Sequence, residues 1–229
     1  MPTHTSRPKV RAIVAGVTAV FTGLAAGKLV ASFVAPEAAP AVAVGSRLID
    51  LTPTPVKEWA VATLGTWDKP VLIGGVVIVT LAMGALIGLL SLRRPAWRWA
   101  GPASLTVIAA AAAAAAPAAG MFAVVPALAT GVVGGAVLHW LLRGTPQRVD
   151  DDRAPHALPR RAFITGTAVA SVSGAVALIA GQYRVTTQQP PRAVTLPRPA
   201  DPLAPLPAGP YVPGLAPWVT PNKDFYRVD

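Results

Sequence analysis

Apolar residues in this chain occur in long blocks, and the charged residues are concentrated between those blocks. About 20 apolar residues in a helix cross the hydrocarbon core of a bilayer. Five blocks approach or reach this length, so the predicted fold class is an all-α integral membrane protein, a bundle of five transmembrane helices. The predicted helices cover residues 13–34, 71–92, 97–117, 122–142 and 163–181.

The first block also admits another interpretation, a cleaved signal peptide, because the sequence APEAAPA follows it. The apolar core of a signal peptide has about 7–15 residues. The block at 13–34 is longer than that, which favours a retained transmembrane helix.

The charges between the blocks predict the orientation in the plasma membrane. Lysine and arginine are concentrated in residues 1–12, 93–98 and 143–162, whereas segment 35–70 mixes both signs. Loops rich in Lys and Arg remain in the cytoplasm. We therefore expect the following order: a cytoplasmic N-terminus (1–12), a four-helix membrane domain (13–142) with an outer loop (35–70), a cytoplasmic basic loop (143–162), the fifth helix (163–181) and an extracytoplasmic C-terminus.

The outer loop contains one predicted short helix, in the sequence TPTPVKEWAVATLG. Thr54 suits the N-cap position, Pro55 the first helical position and Gly65 the C-terminal end. One face of this helix is apolar and includes Trp59. We expect it to lie on the outer membrane surface, with Trp59 and Trp67 at the depth of the lipid headgroups; a lid over a binding site is the alternative.

The composition supports a membrane protein and limits the possible chemistry. Only 13% of the residues are charged, against about a quarter in a soluble domain. The lack of cysteine excludes disulfides and cysteine-ligated zinc or iron–sulfur sites within these residues. The formal charge of +10 could indicate nucleic-acid binding. However, the basic residues lie at the ends of apolar blocks, where topology explains them, and no nucleic-acid partner is predicted.

The predicted helices contain few ionisable groups. Lys28 can extend its ammonium group to the outer interface, and His139 lies at the inner interface. Neither a facing pair of histidines nor a chain of carboxylates occurs, which argues against a cytochrome subunit or a transporter. Glycines spaced four residues apart, at 23/27, 84/88 and 131/135, predict close helix packing, and a pore or pocket lining is the alternative.

The character of the chain changes after residue 181. Eleven prolines occur between residues 190 and 221, and such a sequence forms an extended, semi-rigid spacer. Segment 182–220 is therefore a predicted extracytoplasmic linker. Residues 221–229, PNKDFYRVD, are no longer rich in proline, which is what the start of a folded domain would look like. We expect the chain to be the N-terminal portion, or a truncated copy, of a longer protein.

Two segments, VPGLAPWVTPNKDFYRVD and PRRAFITGTA, resemble actinobacterial membrane-bound, molybdopterin-dependent oxidoreductases of the sulfite oxidase-like family. RRAFI is similar to the twin-arginine export pattern, which Arg160, Arg161 and Phe163 match. Pro159 stands where that pattern commonly has Ser or Thr, and Thr165 stands where it commonly has Lys. The alternative is that the arginines only orient the fifth helix.

The resemblance implies a function, namely the membrane anchor and export module of an extracytoplasmic oxidoreductase. The secretory translocase would insert the first four helices, and the twin-arginine translocase would move the fifth helix with its attached domain outward. The implied cofactor of the full-length enzyme is molybdopterin with molybdenum, and its electron-transfer partner is unidentified.

The resemblance also implies that Asn222, Tyr226 and Arg227 contact the pterin, although Asn222 is slightly displaced from the family's register. Alternatively, Phe225 and Tyr226 simply begin a core strand. The family's molybdenum-ligating cysteine has no counterpart here, so we assign no catalytic residue and no metal ligand in this chain. The alternative function is a non-enzymatic integral membrane protein whose proline-rich tail reaches the cell wall.

Overall fold

The computed structural model describes residues 6–116, 120–143 and 159–187, and these residues fold into α-helices and short 3-10 turns without a strand. The helices are α1 (Ser6–Val34), α2 (Pro40–Leu51), α3 (Thr54–Leu64), α4 (Asp68–Arg93), α5 (Trp97–Ala114), α6 (Val125–Leu141) and α7 (Arg160–Thr187). The predicted all-α class is confirmed for this part of the chain.

Three continuous helical segments are long and apolar enough to cross a membrane: Pro8–Val34, Thr54–Arg93 and Arg160–Thr187. They contain the first, second and fifth predicted spans. α6 is apolar but has only 17 residues, a length of about 26 Å against a hydrocarbon core of about 30 Å. α5 is the remaining predicted span, and it is not among these segments.

α7 is longer than its predicted span at both ends. It begins at Arg160 rather than at residue 163, and it ends at Thr187 rather than at residue 181. Residues 182–187, assigned to the linker from the sequence, are therefore helical. Hydropathy located the apolar part of this helix, whereas the helix itself continues through polar residues that are compatible with helical structure. The rest of the predicted proline-rich linker lies outside the described residues.

The segment predicted as an outer loop contains two helices rather than one. α3 was predicted closely, and Gly65 ends it in a left-handed conformation with φ 55°. Pro53, and not Thr54, occupies the N-cap position, so the predicted cap was wrong by one residue. α2 was not predicted; it begins at Pro40, where a proline is favourable because the first helical position needs no hydrogen-bond donor.

α1 is the central helix of the bundle, and it packs extensively against α4, α6 and α7. α5 packs mainly against α6 and α2, whereas α6 and α7 touch only slightly. The buried face of α1 consists of small residues, including Ala12, Ala15 and Ala19. They pack in one core cluster with Ile87 of α4, Phe163 of α7 and leucines near the end of α6.

Glycines bring the backbones of these helices into direct contact. A Cβ atom on Gly88 would collide with the main-chain carbonyl of Ala12, and one on Gly16 would collide with that of Gly84. Between α1 and α6, a Cβ on Gly23 would lie 2.7 Å from the carbonyl oxygen of Thr130. Only glycine allows such an approach, so the predicted packing role is confirmed for the glycine pairs 23/27 and 84/88.

These contacts predict the effect of a single methyl group in α4. Gly88→Ala should lower the free energy of unfolding by about 1–3 kcal/mol, because the added Cβ meets main chain that cannot move aside. Gly74→Ala is the matched control in the same helix, since no atom lies within 4 Å of its Cβ position. Unfolding of both variants in detergent would be followed by circular dichroism. Equal stability of the two variants would contradict the described crossing of α1 and α4.

Candidate functional site

The paired arginines lie in the first turn of α7, and both side chains are exposed. Phe163, the third matching residue of the export pattern, is only 7% exposed. α7 has a buried face and an exposed face that follow the helical period. Residues 163, 166 and 174 are buried, whereas Ile164 and Val169 face outward. The pattern is therefore divided between an accessible basic pair and a buried aromatic anchor.

Phe163 connects α7 to the beginning of α1. The guanidinium carbon of Arg11 lies 4.6 Å from the centre of the Phe163 ring, a distance at which a cation is attracted to an aromatic face. The ring also belongs to the core cluster with Ala12 and Ala15. One turn later, the ring of Trp140 occupies the space beside Gly166. The start of α7 is thus held by side chains from both α1 and α6.

At the opposite end of α7, polar groups join it to the end of α1. The Lys28 ammonium donates a hydrogen bond of 2.8 Å to Oε1 of Gln182, and the Arg184 guanidinium stacks on Phe33 at 3.8 Å. The sequence identified Lys28 but not its partner. Residues 28 and 182 are far apart along the chain, and the helical extension that places Gln182 beside α1 was assigned to the linker.

An apolar crevice of about 500 Å³ lies between α1, α2, α4, α5 and α6. Its walls include Val44 of α2, Met83 of α4 and Leu105 of α5. Three threonines also line it, and each donates its hydroxyl hydrogen to a carbonyl oxygen four residues earlier in its own helix, as found for Thr80, Thr106 and Thr130. Its apolar walls suit a hydrophobic ligand. The alternative role of the spaced glycines, a pocket lining, therefore also has a structural basis, because Gly84 and Gly131 border this crevice.

His139 was singled out from the sequence, whereas Arg98 was treated there only as a residue that sets the topology. The His139 ring packs on Trp99 with ring centres 4.8 Å apart. Arg98, the neighbour of Trp99, is buried with 9% of its surface exposed. The flanking tryptophans in WRW were the available signal, since large aromatic residues beside an arginine can shield it from water.

The residues assigned to the pterin cofactor, Asn222, Tyr226 and Arg227, lie outside the described residues, as does the predicted start of a catalytic domain at 221–229. Within the described ranges, no three histidine or acidic side chains come together in a way that could hold a metal ion.

Compared with protein-family models, with characterised proteins and with solved structures, the chain has no significant match. Membership of the molybdopterin-dependent oxidoreductases therefore stays a prediction from the sequence resemblance.

The contact between α1 and α7 can be tested directly, because the chain contains no native cysteine. A Cβ on Gly181 would lie 3.2 Å from the Cα of Leu29, so Leu29→Cys with Gly181→Cys should form a disulfide within the chain on mild oxidation. Leu29→Cys with Ile179→Cys is the control, since Ile179 faces away from the bundle. Mobility on a non-reducing gel reports the bond. Equal cross-linking of both pairs would contradict the described register of α1 and α7.

Proposed function

We propose that this chain is the membrane anchor and export module of an extracytoplasmic oxidoreductase of the molybdopterin-dependent, sulfite oxidase-like kind. The first four spans, α1, α4, α5 and α6, anchor the protein. α7 carries the export signal and leads into the proline-rich segment. The described residues supply no catalytic group to this proposal. The oxidoreductase activity, the molybdenum cofactor and an electron-transfer partner belong to the domain that the resemblance implies after residue 220.

The observation that carries the proposal is the position of Arg160 and Arg161 on α7. Both are exposed at the first turn of a helix that packs mainly on α1 and scarcely on α6. A helix attached along one side can join the bundle after the other helices have packed. This is the arrangement that separate insertion of the fifth span by a second translocase requires.

The distribution of charge supports the topology of this proposal. The beginnings of α1, α5 and α7 meet the ends of α4 and α6 at one end of the bundle. Arg11 contacts Phe163, Trp99 contacts His139, and Gly88 of α4 lies against Ala12 of α1. We call this the basic end. The acidic residues of the described ranges lie elsewhere, in segment 37–68. The positive-inside rule assigns the basic end to the cytoplasm.

In the proposed topology, α5 and α6 count as shorter spans. The protein then crosses the plasma membrane five times, with a cytoplasmic N-terminus and an extracytoplasmic C-terminus. α5 and α6 are joined to the long helices by packing, since α6 lies along α1 and α5 along α6. The bilayer can thin locally around such helices at modest cost.

The main prediction concerns the chemical identity of the arginine pair. Arg160→Lys with Arg161→Lys preserves the charge, so the fifth helix should keep its orientation signal. A translocase that reads the planar guanidinium groups would not accept lysine. We expect the double variant to insert the first four spans but to leave a C-terminal tag in the cytoplasm, as measured by protease protection in intact protoplasts.

The matched control is Arg148→Lys with Arg153→Lys, which lie in the preceding basic sequence segment and outside the export pattern; this variant should leave the tag exposed. A strain lacking the twin-arginine translocase should reproduce the effect of the double variant. Normal exposure of the tag in the Arg160/Arg161 variant would mean that the arginines act only as topology residues. Reading the gene past codon 229 then helps to separate the two functions. A downstream domain with a cysteine in a β-rich context would support the oxidoreductase, whereas a stop codon would support the non-enzymatic alternative or a decayed gene.

The proposed topology also makes a prediction about α3. This helix has no buried residue, and its Trp59 is 65% exposed, so its apolar side chains need contact with lipid rather than with the bundle. Trp59→Asp should release α3 from the membrane surface, which a spin label on α3 would report as increased access to a water-soluble relaxing agent. Trp59→Phe, the control, should remain bound. An aqueous environment in the unmodified protein would contradict the interfacial position.

A further inference from the structure

Arg98 is a buried cation whose hydrogen bonds are incomplete. Its side chain is 9% exposed, and its Nε and Nη2 atoms are buried without an acceptor among the described residues. Arginine keeps its charge under all ordinary conditions, and a buried donor without a partner is strongly unfavourable. The position is therefore better explained by a ligand that accepts hydrogen bonds from the guanidinium than by packing alone.

The neighbours of Arg98 are basic side chains that can donate hydrogen bonds. The His139 imidazole packs on Trp99, the residue next to Arg98, and Arg143 follows His139 by four residues. The Nδ1 atom of His139 is also buried without a partner among the described residues. We call Arg98, His139 and Arg143 the arginine–histidine cluster. Such a cluster attracts an anion with several acceptor oxygens. A phosphate group fits best, because a guanidinium can hold two of its oxygens with parallel hydrogen bonds.

On α5, the apolar crevice begins one helical turn after Arg98, at Pro102. Pro102, Leu105 and Ala109 line the crevice and follow Arg98 in α5 by four, seven and eleven residues, which places all four on one face of the helix. On α6, Leu138 lines the crevice directly before His139. The crevice reaches exposed apolar residues of both α4 and α5, at Val79 and Ile108. A charged head site and an apolar channel therefore lie along one helix face, with lateral access from the lipid.

We propose that this combined site binds one anionic phospholipid, with its phosphate group on the arginine–histidine cluster and an acyl chain in the crevice. Basic pockets between transmembrane helices are known to hold anionic lipid headgroups. A free phosphate ion would satisfy the cluster alone, whereas the crevice adds a requirement for an apolar chain. The volume of about 500 Å³ lies in the range that small apolar ligands occupy in proteins.

The test uses the full 229-residue chain, purified in mild detergent and titrated with phosphatidylglycerol or phosphatidylcholine, with bound lipid counted by native mass spectrometry. We expect one phosphatidylglycerol molecule to be retained in preference to phosphatidylcholine. Arg98→Gln should weaken this binding at least about tenfold, as expected for the loss of charged hydrogen bonds. Arg94→Gln removes the same charge from an exposed site near the basic end and should have little effect.

The crevice is tested without changing any charge. Met83→Trp places a larger side chain in the channel and should weaken phosphatidylglycerol binding, whereas Val132→Trp, at an exposed position outside the crevice, should not. This pair decides the question even if Arg98→Gln fails to fold. Thermal unfolding provides a second readout: phosphatidylglycerol should raise the melting temperature of the wild type and of Arg94→Gln, but not that of Arg98→Gln or Met83→Trp.

Competition with inorganic phosphate shows whether the bound phosphate group belongs to a lipid or to a free phosphate ion. At millimolar concentration it should compete only weakly, because it lacks the acyl chain. The proposal is overturned if the two lipids bind equally, or if Arg94→Gln and Arg98→Gln lose binding equally. It is also overturned if phosphate alone displaces the lipid while Met83→Trp binds normally, a result that would assign the cluster to a soluble phosphate.

Discussion

The rest of the bundle depends on the close backbone contact between α1 and its neighbours. Lipid is as apolar as a leucine side chain, so the hydrophobic effect does not drive helices together within a bilayer, and packing contacts must do so. α1 meets this requirement with a face of alanine and glycine, including Ala12, Gly16 and Gly23, which touches the main chain of α4 and α6. Larger side chains at these positions would move several helices at once, because α4, α6 and α7 all pack on this one helix.

The crevice is a consequence of the same arrangement. α4 and α5 follow one another closely in the chain and meet near the basic end, where Ile87 packs against Gly101. Farther from that end, α2 packs against both helices, and its Val44 and Leu48 form part of the crevice wall. The space between α4 and α5 is thus bordered by α2 rather than closed by direct contact. α1 fixes the inner wall of this space and α2 the outer one.

Local signals in the sequence predicted the parts of this fold that depend on local structure. The apolar blocks located α1 and α4 to within a few residues of their apolar ends, and the turn residues located α3 and its terminal Gly65. α2 was missed, because a helix of 12 residues among charges of both signs has no long apolar block. The burial of Arg98 and the pairing of Lys28 with Gln182 were also missed. Both depend on which helices become neighbours, and residues 28 and 182 are separated by 154 positions.

The packing of Phe163 has a consequence for the order of events in the proposed export. Arg160 and Arg161 remain accessible after α7 has packed, but Phe163 does not, since it is 7% exposed and lies against Arg11. A translocase that reads all three residues must therefore bind before α7 packs on α1. In the proposed sequence, release of α7 would then allow the aromatic ring to enter the core cluster, after which a translocase could reach the two arginines but no longer Phe163. In this mechanism, the same side chain that marks the helix for export becomes one of the contacts that retain it in the bundle.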